Sequence, residues 1–179
     1  VGLRGKVGGT FADYGIDYRE VPLKEGRPDL PAIEQAAADP QVKGVFIQRS
    51  RGYARRQTLS CEEIGEICKV VRKVNPDAAI VVDNCYGEFV EETEPTQHGA
   101  DLTAGSLIKN PGGGLAPTGG YIAGRADLVE RAAFRLTVPG IGGECGATLG
   151  VNRSLYQGLF MAPHTVCQAL KTAVFAAAL

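Results

Sequence analysis

The 179-residue chain is 44% hydrophobic, enough for one globular core, and a formal net charge of −1 gives nucleic acid or an anionic membrane no electrostatic footing. Five cysteines (Cys61, Cys68, Cys85, Cys145 and Cys167) are odd in number, widely spaced and without a Cys-x-x-Cys pair; this argues against a disulfide framework and for a reducing cytoplasm. Two histidines, His98 and His164, are too few and too distant from the thiols for a zinc site, and no apolar run reaches membrane-spanning length.

The segment from Ile16 to Leu23 alternates and is rich in β-branched residues, which predicts a strand. Asp29 caps a helix predicted over Leu30 to Ala38, closed by Asp39-Pro40. Val42 to Gln48 reads as a buried parallel strand, followed by a loop bearing Arg49, Arg51, Arg55 and Arg56. Ser60-Cys61-Glu62-Glu63 is a capping box, and Ile64, Ile67, Cys68 and Val71 recur at helical spacing up to Asn75-Pro76. Ala79 to Asp83, Ala100 to Gly105 and Gly119 to Gly124 read as further strands. Helices are predicted over Ala126 to Leu136, Arg153 to Phe160, and His164 to the end. The order is that of an α/β fold, a mainly parallel sheet with crossover helices, in one domain over residues 1–179. The absence of an initiator methionine and of a cap after Leu179 is read as that of a piece of a longer protein.

In such sheets ligands sit beyond the carboxyl ends of the strands. Three polar groups fall there: Gln48-Arg49-Ser50, Asp83-Asn84-Cys85-Tyr86, and Ser106-Leu107-Ile108-Lys109. Asp83 is either a capping carboxylate or the partner of a cationic ligand atom such as a pyridinium nitrogen. Lys109, between Ile108 and Asn110-Pro111, is either a surface lysine on a glycine turn or a desolvated amine whose lowered pKa makes it available to form an imine. Gly112, Gly113 and Gly114 would let the backbone approach a ligand closely. They do not spell a nucleotide loop, because no Gly-Lys-Ser/Thr follows them. Arg49, at a strand end, is a candidate for a substrate carboxylate, whereas Arg55 and Arg56 read as solvated.

Strand-Asp83-Asn84-Cys85-Tyr86 followed by Ser106-x-x-Lys109 and glycines resembles the fold-type I enzymes that use pyridoxal 5'-phosphate (PLP). Five strings bring it closer to one branch: IQRSRGY (47–53), VDNCYGEFVE (82–91), GADLTAGSLIKNPGGG (99–114), TGGYIAG (118–124) and RLTVPGIGGECGA (135–147). These resemble the methionine γ-lyase-like family, also labelled aluminium-resistance proteins, over essentially the whole chain.

The resemblance implies a partial PLP-binding large domain, without the family's N-terminal segment and C-terminal small domain. It implies Lys109 as the Schiff-base lysine, Asp83 at the pyridine nitrogen, Ser106 at the phosphate, and Tyr86 near cofactor or substrate. Ile108 replaces a second hydroxyl residue frequent in the group, which puts more of the phosphate's binding on other segments. The implied activity is carbon–sulfur β- or γ-elimination on a small sulfur amino acid, by a homodimer or homotetramer. Another PLP-dependent amino-acid transformation, or a non-catalytic α/β binding domain, would use the same fold.

Overall fold

A computed structural model describes residues 8–144, 146 and 148–179. Cys145 lies outside the described residues, as do the first seven positions. Four helices, α1 (Leu30–Ala37), α2 (Cys61–Val74), α3 (Ala126–Leu136) and α4 (Asn152–Ala178), accompany four strands. The strands are β1 (Gly44–Gln48), β2 (Ala79–Asp83), β3 (Leu102–Ser106) and β4 (Gly120–Gly124).

Local sequence accounts for the helix that builds the core. Ser60 accepts from the Glu63 amide at 3.1 Å while Glu63 accepts from the Ser60 amide at 2.9 Å, so α2 starts on a closed capping box. Glu62 and Glu63 in its first turn and Arg72 and Lys73 in its last complement the helix dipole. Its buried stripe of Ile64, Ile67, Cys68 and Val71 packs in one core with Ile47, Ile80 and Val82 of the sheet. Each fully buried aliphatic side chain of this kind contributes about 1.5–3 kcal/mol. Asp29 accepts from the Ala32 amide at 3.2 Å and starts α1, which packs beside α2.

The sheet runs in the order β1-β2-β3-β4, parallel throughout except that β4 returns antiparallel to β3. The expected α/β class with a mainly parallel sheet is therefore observed. Register sorts the two faces: Ile47 pairs with Val82 and Val82 with Thr103, all on the side covered by α2. Gln48 pairs with Asp83 and Asp83 with Ala104, on the opposite side, where Phe46 is exposed.

Two expected elements are corrected. Residues 16–23 form no strand; Ile16, Tyr18 and Leu23 are exposed, and the nearest pairing is an isolated bridge from Lys24 to Arg27. Alternation orients side chains, but a strand also needs a neighbour. The two helices expected around Pro163 are one, α4, which runs 27 residues through the proline. Proline removes a single donor to the preceding turn, and the long arms on either side carry the helix across it. Of the described thiols, Cys61 and Cys68 are buried as expected, Cys85 is half-buried and Cys167 is exposed. Burial pushes the Cys61 and Cys68 thiols up to about 11, so both stay protonated near neutral pH. Among the described residues no helix is long and apolar enough to cross a membrane, and no cluster of metal-ligating side chains occurs.

Candidate functional site

The alternation of the strands decides which polar groups meet. Asp83 and, two residues beyond Ala104, Ser106 project from the face away from α2. At the end of β2 the Asp83 carboxylate accepts from the Cys85 amide at 3.1 Å, so the capping role is real. Tyr86 follows with φ 68°, in the left-handed region that a bulky side chain seldom enters. At the end of β3 the Lys109 amide returns to the Ser106 carbonyl at 3.2 Å, which turns the chain back over the strand ends. That turn sets the Lys109 ammonium 4.7 Å from the centre of the Tyr86 ring, a cation–π contact.

Lys109, Cys85, Asp83 and Tyr86 thus interact as one cluster, and the Ser106 backbone reaches the Cys85 thiol. Burial alone would lower the Lys109 pKa, as the sequence suggests. The Cys85 thiol and the charges of Cys85, Tyr86 and Asp83 outweigh it and raise the pKa above the ordinary lysine value. The expectation of a depressed lysine is corrected. Burial, followed by the hydrogen bond to Asp83, raises Cys85 in turn.

Arg49 is placed elsewhere. It shares strand parity with Ile47, projects to the α2 face and is only 1% exposed. Its Nε donates to the Leu59 carbonyl at 3.2 Å, and its Nη1 donates to Asn84 Oδ1 at 2.7 Å and to the Gly87 carbonyl at 3.1 Å. Its Nη2 pairs with Glu91, and Glu94 stands 3.6 Å from Nη1. The guanidinium proposed for a substrate carboxylate is spent inside the protein. Gly87 permits this, since a Cβ there would lie 2.4 Å from Arg49 Nη1.

Behind the Lys109 loop lies Glu88, which the sequence reading passed over. It is 4% exposed, accepts from the Tyr121 hydroxyl at 2.8 Å through Oε1, and has no partner on Oε2. Its backbone carbonyl accepts from the Asn110 side chain at 3.0 Å, which ties it to the residue after Lys109. Burial raises its pKa above the usual carboxylate value, against the opposing pull of its hydrogen bonds. A Cβ at Gly105 would lie 2.3 Å from Glu88 Oε1, so the glycine of β3 makes the room. No signal at Glu88 itself marks it; the glycine at 105 is a trace.

The glycines after Lys109 are also reassigned. A Cβ on Gly113 would come within 2.4 Å of the Gly158 carbonyl, and one on Gly158 within 2.2 Å of the Gly112 carbonyl. Gly113 and Gly158 therefore let helix α4, rather than a ligand, close on the loop, whereas a Cβ on Gly112 would lie 1.7 Å from the Leu107 carbonyl. Gly114 faces open space.

The family model described as methionine gamma-lyase matches residues 1–179. The chain belongs to that family. The uncharacterized protein YnbB of Bacillus subtilis is 52% identical over 179 residues, 99% of this chain and 42% of YnbB. Among solved structures, a carbon–sulfur lyase involved in aluminium resistance from Clostridium novyi is 51% identical with a TM-score of 0.89, covering 96% of this chain and 41% of that one. The methionine gamma lyase CalE6 of Micromonospora echinospora, 24% identical over 85% of this chain and 38% of its own, shares the fold at a TM-score of 0.61. The fold is the α/β sheet of the fold-type I family members, and the chain spans about two-fifths of the length of YnbB and of the Clostridium novyi enzyme.

Proposed function

We propose that this chain supplies the cofactor-attaching segment of a PLP-dependent carbon–sulfur lyase acting by β- or γ-elimination on a small sulfur amino acid. The observation that carries the reading is the Lys109–Cys85–Asp83–Tyr86 cluster at the ends of β2 and β3, with Ser106 on the face of Asp83. The donor set suits the cofactor: an amine for the aldehyde, a carboxylate for the ring nitrogen and a hydroxyl for the phosphate. When bound, pyridoxal phosphate supplies an electron sink for breaking the Cα–H bond and expelling sulfur.

The chain's own residues divide the remaining work. Lys109 would hold the cofactor through its amine and would take up and return the Cα proton at Nζ. Both tasks use the neutral amine. Asp83 would hold the ring nitrogen in its protonated form, and the Ser106 hydroxyl would bind the phosphate. Tyr86, already stacked against the ammonium, limits where Nζ can travel. Assembly as a homodimer or homotetramer belongs to the same reading.

The test is an absorbance scan of the protein with PLP, before and after borohydride, beside Lys109→Ala. A visible band that borohydride fixes onto Lys109 and that the variant lacks is the expected result. Label on another lysine, or an equal band in the variant, refutes the assignment. Ketoacid and thiol release from a panel of sulfur amino acids then separates elimination from transamination, which yields ketoacid without thiol.

A further inference from the structure

Arg27, Arg51, Arg55 and Arg56 line a cleft of about 330 Å³ with Glu25 and Gln57. One wall is a tight turn. Lys24 and Arg27 exchange backbone hydrogen bonds of 2.9 and 3.0 Å, and Glu25 and Gly26 between them have φ of 54° and 78°, the signs of a type I′ turn. The Arg27 side chain leaves this turn to donate to Gln57 Oε1 at 3.0 Å and to pair with Glu63 at the start of α2. The turn is thereby pinned to the helix.

The facing wall is the loop after β1, folded on itself by Arg56. Its Nη1 donates to the Gln57 carbonyl at 2.9 Å, and its Nη2 donates to the Gln48 carbonyl at 2.9 Å and to the Ser50 carbonyl. These acceptors are neutral, so they orient the guanidinium and leave its charge uncompensated. Arg51 and Arg55 have no ion-pair or side-chain hydrogen-bond partner among the described residues. Four guanidiniums thus meet two carboxylates, Glu25 and the Arg27-bound Glu63, an excess of two positive charges around one concave space.

We propose that this cleft is a binding subsite for a small dianion, a phosphate or a dicarboxylate. Arg56 is its fixed floor, and Arg51 and Arg55 close on the ligand. Guanidinium forks match both oxyanions bidentately, which suits a site holding several arginines and no lysine. The space is ample for either anion. Glu25 on the rim opposes anion entry and selects against weakly charged ligands. The cleft adjoins β1, with β2 between it and the strand leading to Lys109, so it is separate from the phosphate position at Ser106. The inference stands on this geometry and does not depend on cofactor attachment at Lys109.

Isothermal titration calorimetry of the protein with inorganic phosphate and with succinate, at low ionic strength, tests it. Saturable binding is expected for at least one probe, at least tenfold weaker in Arg51→Ala/Arg55→Ala, whose urea midpoint stays at the parent value. The Arg51→Lys/Arg55→Lys variant, with charge but no fork, is expected between the two. Tighter phosphate assigns a phosphorylated ligand, and tighter succinate assigns a dicarboxylate; either supports the subsite. Equal affinity in the parent and the double alanine variant overturns it, as does failure of both probes to saturate. Running the titration in Lys109→Ala separates this outcome from the cofactor reading, because the two anions should bind that variant as they bind the parent.

Discussion

Replacing Arg49 by methionine keeps an unbranched apolar stem and strips the donors from three acceptors inside the fold. The Leu59 carbonyl, Asn84 Oδ1 and the Gly87 carbonyl each lose their guanidinium partner. The Gly87 carbonyl keeps the Val90 amide at 3.2 Å, so two acceptors are stranded, and at roughly 1 kcal/mol for each the loss is about 2 kcal/mol. Glu91 and Glu94 add less, because their side chains remain 35% and 34% exposed and recover water. With a urea dependence of about 2 kcal/mol per molar for a chain of this size, the midpoint should fall by about 1 M. Urea titration followed by circular dichroism reads the shift directly. Arg49→Lys should lose nearly as much, since a single ammonium lacks the fork that reaches acceptors on two separate segments. A midpoint within 0.3 M of the parent, about 0.6 kcal/mol by the same dependence, would refute the structural assignment. It would return Arg49 to the list of substrate ligands.

Three further outcomes follow from the same contacts. The Glu88 carboxyl is raised in the folded chain, so its stabilising contribution is complete below the ordinary value of 4.5 and is lost as pH rises through the raised one. The urea midpoint of the parent should therefore decline across that window, and Glu88→Gln should remove the decline; an unchanged pH profile would count against it. Cys85→Ala removes contacts that raise the Lys109 pKa, so the pH profile of borohydride-trapped PLP attachment should move to lower pH. A profile that stays put would mean the thiol does not control the amine. Pro163→Ala restores a donor to the turn before it in a helix that already runs continuously. It should raise the melting temperature by the equivalent of about 1–3 kcal/mol, and a lower value would show that the proline ring packs usefully.

The strands and helices whose signals are local were legible from the sequence. β2 occupies Ala79–Asp83 and α3 occupies Ala126–Leu136 as expected, because a short apolar run and a helical period each declare themselves within a few residues. The capping box at Ser60 was legible for the same reason. The segment 16–23 was misread because alternation says nothing about whether another strand lies alongside. Arg49 was within reach of the sequence: strand parity with Ile47 places it on the core face, opposite Asp83. Glu88 was not, since its burial depends on β4 bringing Tyr121 against it and on Gly105 of β3 leaving room. The Lys109 pKa was misjudged because desolvation was weighed without the Cys85 thiol, a neighbour from another strand.

The near-contact of Gly112 with Gly158 has a mechanical consequence. With no side chain on either residue, the backbone of the lysine loop and that of α4 touch directly, and Thr165 reaches from the helix to the Gly113 carbonyl at 3.4 Å. No compressible layer of side chains separates them, so this part of α4 and the loop cannot slide independently. A displacement of the helix by even a fraction of a side-chain diameter is delivered to Lys109 undamped, three residues away along the chain. The amine's position is therefore geared to the seat of a helix that takes no direct part in its chemistry.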